Sequence, residues 1–84
     1  MFYYVYVLKC SDNELYIGCT ENLQERMQRH TNGYVPATKH RRPLHILAYF
    51  AMPDKYIAFN FETYLKTGLG RSFLNKHMLT KKAV

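Results

Sequence analysis

The sequence predicts an α+β fold: a small three-stranded antiparallel or mixed sheet flanked by helices, in the element order ββαβαα. Three observations carry this prediction. Two β-branched and aromatic stretches flank a polar turn near the N-terminus, helical patterns follow side chains suited to capping, and one more apolar stretch lies between those patterns. Eighty-four residues suffice for one domain, expected over residues 1–80, with a frayed basic tail at 81–84.

Residues 2–9 (Phe2-Tyr3-Tyr4-Val5-Tyr6-Val7-Leu8-Lys9) are β-branched and aromatic almost without interruption, which suits a strand covered on both faces and so central in its sheet. Ser11-Asp12-Asn13 is the turn, and residues 14–19 return. A two-residue turn at Asp12-Asn13 would send Tyr6 and Tyr16 to opposite faces. A three-residue loop with Asn13 in the left-handed region opposes Leu8 with Tyr16 and Tyr6 with Gly18, placing Tyr4, Tyr6 and Tyr16 on one face. Asn is the non-glycine residue best able to take that conformation, which favours the second register.

Asn22 is the expected N-cap of the first helix, with Glu25 as a capping-box partner and Gly33 as the stop. At 100° per residue Leu23, Met27 and His30 form its inward stripe, Arg26 borders it, and Arg29 points to solvent. Residues 34–43 form a basic loop with room for a helical turn, and residues 45–51 a third strand. Asp54 caps a helix expected over residues 55–67, with Ile57, Ala58, Phe61 and Leu65 inward and Gly68 ending it. A last short helix begins at Gly70 or Arg71 and carries Phe73, Leu74 and Met78.

Twelve Lys and Arg against six Asp and Glu leave a net charge of +6, which favours polyanionic partners, nucleic acid foremost. With 48% hydrophobic residues the chain is globular rather than disordered. Cys10 and Cys19 make neither a disulfide framework nor a zinc site, and no segment is apolar enough to span a bilayer, so a reducing, cytoplasmic setting without a membrane is expected.

Several residues stand out for chemistry. Glu62 is the only acid after Asp54, in a region that holds Lys55, Lys66, Arg71, Lys76, Lys81 and Lys82. Taken alone it reads as the i, i+4 partner of Lys66; beside a phosphate-binding cluster it suits a Mg²⁺ ion that keeps most of its waters. Arg26 and His30 are i, i+4 neighbours and can address one spot. Arg29, Lys39, Arg41 and Arg42 are candidate outer contacts to nucleic acid.

Tyr4-Val5-Tyr6, Tyr16-Ile17-Gly18, Asn22-Leu23 with Arg26 and His30, and Glu62 on the later helix together resemble the GIY-YIG nuclease superfamily, in particular its small single-domain, UPF0213-like subgroup. The segments Thr38-Lys39-His40-Arg41-Arg42-Pro43 and Tyr64-Leu65-Lys66-Thr67-Gly68 add to the resemblance. It implies the GIY-YIG fold and an endonuclease hydrolysing phosphodiester bonds, DNA sooner than RNA, with one divalent metal, Mg²⁺ or Mn²⁺. It further implies that Tyr6 and His30 activate water, that Tyr16 positions the phosphate or the nucleophile, that Arg26 stabilises phosphoryl charge, and that Glu62 holds the metal. Asn75 is the nearest candidate for the asparagine found late in that family, and Tyr4 stands where its first motif has glycine. A domain this small is expected to draw specificity from nucleic-acid shape, a protein partner or a homodimer. The competing readings are a non-catalytic basic module that binds nucleic acid and a protein-interaction module on the same fold.

Overall fold

The computed structural model describes residues 1–77. The chain forms β1 (Tyr3–Lys9), β2 (Leu15–Thr20), α1 (Leu23–Thr31), a 3₁₀ turn (Lys39–Arg41), β3 (His45–Met52), α2 (Lys55–Leu65) and α3 (Gly68–His77). Met78 of the expected last helix, and the basic tail, lie outside the described residues.

Both strand pairings are antiparallel and the sheet order is β2-β1-β3, so the most continuously apolar strand is central. The hairpin takes the three-residue loop. Asn13 has φ 67°, the Cys10 and Asn13 N–H groups donate to the Glu14 and Cys10 carbonyls, and Tyr6 opposes Gly18 while Leu8 opposes Tyr16. A bulge between Val7 and Leu8 interrupts the pairing with β3.

The two faces of the sheet are packed differently. Val5, Val7 and Ile17 point to one face and form the apolar core with Ala58 and Leu65 of α2 and Leu74 of α3. Tyr6 and Tyr16 point to the other, where they meet His30 of α1. This second layer is polar at its centre.

Capping fixes where the helices start. Asn22 Oδ1 accepts the Glu25 N–H, but the reciprocal half of the expected capping box is replaced: the Asn22 N–H donates to Thr20 Oγ1 at 3.1 Å. Asp54 Oδ1 accepts the N–H groups of Tyr56 and Ile57 at 2.8 and 3.1 Å. Replacing it by alanine should cost about 1 kcal/mol, read as a lowered midpoint in urea unfolding.

Two sequence expectations fail in this half of the chain. Ile57 is 57% exposed rather than inward, because the α2 stripe centres on Ala58 and Leu65, both fully buried. The α2–α3 boundary also falls earlier than expected. Thr67 Oγ1 donates to the Tyr64 carbonyl and accepts the Gly70 N–H, so α3 begins at Gly68. Gly70 lies so close to α2 that a Cβ there would collide with the Tyr64 carbonyl and the Leu65 backbone. Glycines read as breakers serve here as the residues that let two helices meet.

Candidate active site

Tyr6 is the hub. Its side chain projects from the central strand over Gly18, and a Cβ on residue 18 would collide with the Tyr6 hydroxyl and ring. The ring is fully enclosed, with the Tyr16 ring 6.4 Å and the His30 ring 5.5 Å away between centroids. Tyr6 Oη and His30 Nε2 share a hydrogen bond of 2.9 Å, and His30 Nδ1 and Thr38 Oγ1 share one of 2.8 Å. His30 and Thr38 are the buried polar side chains among the described residues, and each is satisfied.

Electrostatics set the protonation states. Burial pushes the Tyr6 phenol up to about 12; the Arg26 guanidinium at its hydroxyl pulls the other way, and Tyr16 and Glu62 push further up. The protein's own cations therefore do not turn Tyr6 into a standing phenolate. Burial, then Arg26 and Arg29, lower the His30 pKa below the usual 6.5, so the imidazole is neutral near pH 7.

Arg26 and Glu62 line an open cavity of about 710 Å³ beside this buried layer, together with Cys19, Glu25 and Lys55. The Glu62 carboxylate is 14% exposed and pairs with Lys66 at 3.2 Å, while the Lys66 side chain is 55% exposed. Among the described residues no three carboxylate, histidine or cysteine side chains gather as a metal cluster. Glu62, with Glu21 and Glu25 elsewhere on the cavity wall, offers carboxylate oxygens beside open space, which fit a hard divalent ion that retains its waters and do not fit zinc.

The outer basic residues separate into two kinds. Arg29 and Lys39 are exposed. Arg41 instead donates from Nε to Asp12 at 2.9 Å, and its carbonyl accepts the Ser11 N–H, tying the 3₁₀ turn to the hairpin loop. Arg42 donates from Nε to the Lys39 carbonyl and from Nη1 to the Thr31 carbonyl, closing the C-terminal end of α1. Asn75 is exposed on α3 and is not among the residues lining the cavity. Thr38 is the site residue that helical and strand patterns missed. It lies eight positions beyond His30 and meets it only because the loop folds back.

The GIY-YIG catalytic domain profile matches residues 2–77. The chain belongs to the GIY-YIG family. Within it, the chain is similar to the UPF0213 protein of Clostridium perfringens, 39% identical over 64 residues, which are 75% of this chain and 69% of that one. A UPF0213 protein of Syntrophus aciditrophicus is 48% identical over 46 residues, 52% of this chain and 53% of its own, so the chain spans about half the length of that relative. The solution NMR structure of the UPF0213 protein BH0048 from Bacillus halodurans has a TM-score of 0.59 at 30% identity, covering 90% of this chain and 84% of that one.

The segments that resemble the two GIY-YIG motifs, Tyr4-Val5-Tyr6 and Tyr16-Ile17-Gly18, lie on neighbouring strands with Tyr6 opposite Gly18. Tyr4, at the first motif's glycine position, packs edge-on against Tyr49 with centroids 6.2 Å apart. It lines a groove with Tyr49 and residues of α1 that shares Glu21 and Asn22 with the cavity of Arg26 and Glu62, and it is not itself among the residues lining that cavity.

Proposed function

We propose that this GIY-YIG domain is a divalent-metal-dependent endonuclease that hydrolyses phosphodiester bonds in nucleic acid, DNA in preference to RNA. The observation that carries the reading is the buried Tyr6–His30 hydrogen bond together with Arg26, which acts on the Tyr6 hydroxyl and lines the same cavity as the Glu62 carboxylate. The buried tyrosine–histidine pair under Arg26 helps to close this face of the sheet, and phosphate chemistry gives the pair and the arginine a shared use.

In this reading Arg26 binds the non-bridging phosphoryl oxygens and stabilises the charge that grows on them. The attacking water gives its proton to the Tyr6–His30 pair as it attacks phosphorus. Tyr16, in ring contact with both, holds the pair in place from β2 and positions the phosphate. Glu62 would hold the single Mg²⁺ or Mn²⁺, which when bound supplies charge neutralisation at the scissile phosphate. Arg29 and Lys39 extend phosphate contact outward, and Arg41 and Arg42 present whatever donors their internal bonds leave over.

The test is incubation of purified protein with branched, flapped, single- and double-stranded DNA and RNA, with Mg²⁺ or Mn²⁺. Cleavage that needs the metal is expected, and binding should weaken steeply as salt rises while depending little on sequence. Absence of binding at low salt would remove nucleic acid from the account.

A pH prediction follows from His30. Only the neutral imidazole accepts a proton, and burial with Arg26 and Arg29 disfavours the cation. The acid limb of the kcat/KM profile should therefore lie below pH 6.5, the ordinary value, rather than at or above it. The same shift acts on stability. The unfolded chain binds this proton first, so stability falls as pH drops through 6.5 and levels off below the folded pKa.

One observation favours a second reading. The Glu62–Lys66 ion pair is what a purely structural carboxylate would make, and the domain would then be a basic module that binds nucleic acid without cutting it. Metal-independent binding with no cleavage of any substrate distinguishes it.

A further inference from the structure

We infer that Thr38 is a positioning residue: it holds the His30 imidazole as the Nδ1–H tautomer, so that Nε2 faces Tyr6 as a hydrogen-bond acceptor. The inference deepens the nuclease reading by assigning the direction in which the proton moves.

Both ends of the hydrogen-bond chain require the same tautomer. At one end the Tyr6 hydroxyl is fully buried, and its neighbours are the Tyr16 ring, the Arg26 guanidinium and His30 Nε2. A guanidinium only donates, so the phenol proton has Nε2 as its acceptor. At the other end the Thr38 hydroxyl donates to the Val35 carbonyl in a long bond of 3.5 Å. That leaves Thr38 Oγ1 to accept the Nδ1–H at 2.8 Å. The run Tyr6 O–H to Nε2, Nδ1–H to Thr38, Thr38 O–H to Val35 satisfies every group, the Val35 carbonyl accepting from the Thr38 N–H as well. The opposite tautomer places Nε2–H against the phenol and strands the phenol's own proton in a buried site.

Thr38 is well placed for this role. It is fully buried, its N–H donates to the Val35 carbonyl at 3.1 Å, and its carbonyl accepts the Arg41 N–H at 2.9 Å. The 3₁₀ turn thus fixes the hydroxyl, the hydroxyl fixes the imidazole, and the imidazole orients Tyr6.

The chemical consequence balances atom by atom. As a water oxygen bonds to phosphorus and the bond from phosphorus to the leaving sugar oxygen breaks, the water's proton passes to Tyr6 Oη and the phenol's proton passes to His30 Nε2. The leaving oxygen takes a proton from solvent, and His30 returns its own to solvent after the step. Tyr6 ends neutral, and His30 ends as an imidazolium donating from both nitrogens, to Tyr6 and to Thr38. Thr38 accepts before and after the transfer, so nothing at that end reorganises. The other tautomer has no lone pair at Nε2 to receive a proton.

The experiment is a long-range ¹H–¹⁵N correlation spectrum of the whole chain with ¹⁵N-labelled histidine, without substrate, His30 being assigned through His30→Asn. A pyrrole-like Nδ1 and pyridine-like Nε2 are expected in the wild type and in Thr38→Ser. Thr38→Val should lose the single tautomer and slow cleavage by about 10–100-fold, with Thr38→Ser restoring the rate. An Nε2–H wild type overturns the inference, as does a folded Thr38→Val with unchanged spectrum and rate. Should Thr38→Val fail to fold, Thr38→Ala replaces it, and the wild-type tautomer alone still decides the assignment. A chain that cuts nothing yet shows Nδ1–H defeats the nuclease reading and upholds the tautomer.

Discussion

Arg26→Ala and Glu62→Gln should each reduce cleavage by at least about 10²-fold, yet shift nucleic-acid binding in opposite directions. Both residues wall the same cavity, so a phosphate bound there would meet both. Removing Arg26 deletes a cation, and metal-free affinity should weaken by about 1 kcal/mol or more. Neutralising Glu62 deletes an anion and also frees Lys66, which it holds at 3.2 Å. Metal-free affinity should then hold steady or rise. Mg²⁺ should tighten the wild type relative to Glu62→Gln, because only the wild type keeps the carboxylate. Neither change should unfold the domain: Lys66 is more than half exposed, and an ion pair so placed contributes at most about 1 kcal/mol. Fluorescence titrations in EDTA and then in Ca²⁺ read the difference. Superimposable curves for wild type and Glu62→Gln under both conditions would assign Glu62 to the structural pair and the domain to the binding class.

A second large effect is expected at Gly18. Alanine there drives a methyl group into the Tyr6 hydroxyl and ring, and Tyr6 is fully enclosed by neighbours that include Tyr16 and His30. The ring cannot move aside without stretching its 2.9 Å bond to His30. Overpacking of this kind costs about 1–3 kcal/mol, a large share of the roughly 5–10 kcal/mol that a small domain has. Cleavage should fall by about 10²-fold even where the protein stays folded, because the phenol is displaced by about 1 Å. Gly68→Ala is the control. Nothing lies within 4 Å of a Cβ there, so the methyl should be neutral or stabilise by about 0.4–1 kcal/mol through the unfolded chain. Thermal unfolding beside a cleavage assay separates the two glycines. Equal behaviour would mean that Tyr6 has room the packing does not suggest.

How much of this was legible in the sequence varied with the range of the interaction involved. The hairpin register was readable because one residue, Asn13, carries the left-handed conformation that selects it. The starts of α1 and α2 were readable because Asn22 and Asp54 cap through side chains within three positions. The α2–α3 junction was misread because Gly68 and Gly70 signal a break locally, whereas the packing of one helix on another is what uses Gly70. Arg41 and Arg42 looked like free cations; their partners Asp12 and Thr31 sit 29 and 11 positions away, beyond any local pattern. Of the site, Tyr6, Tyr16, Arg26, His30 and Glu62 were singled out by strand register, helical spacing and family resemblance, whereas the role of Thr38 needed the folded loop.

The unequal packing of the sheet has an evolutionary consequence. One face is closed by an apolar core, but the other is closed by Tyr6, Tyr16 and His30, so those three side chains are building material whatever chemistry they also carry. Arg26 and Glu62 stand on the cavity wall, outside both packed layers. A lineage of such domains released from selection for turnover should therefore lose the arginine and the glutamate early while keeping the aromatic trio. Its members would retain the fold and the tyrosine signature long after their catalytic step had gone.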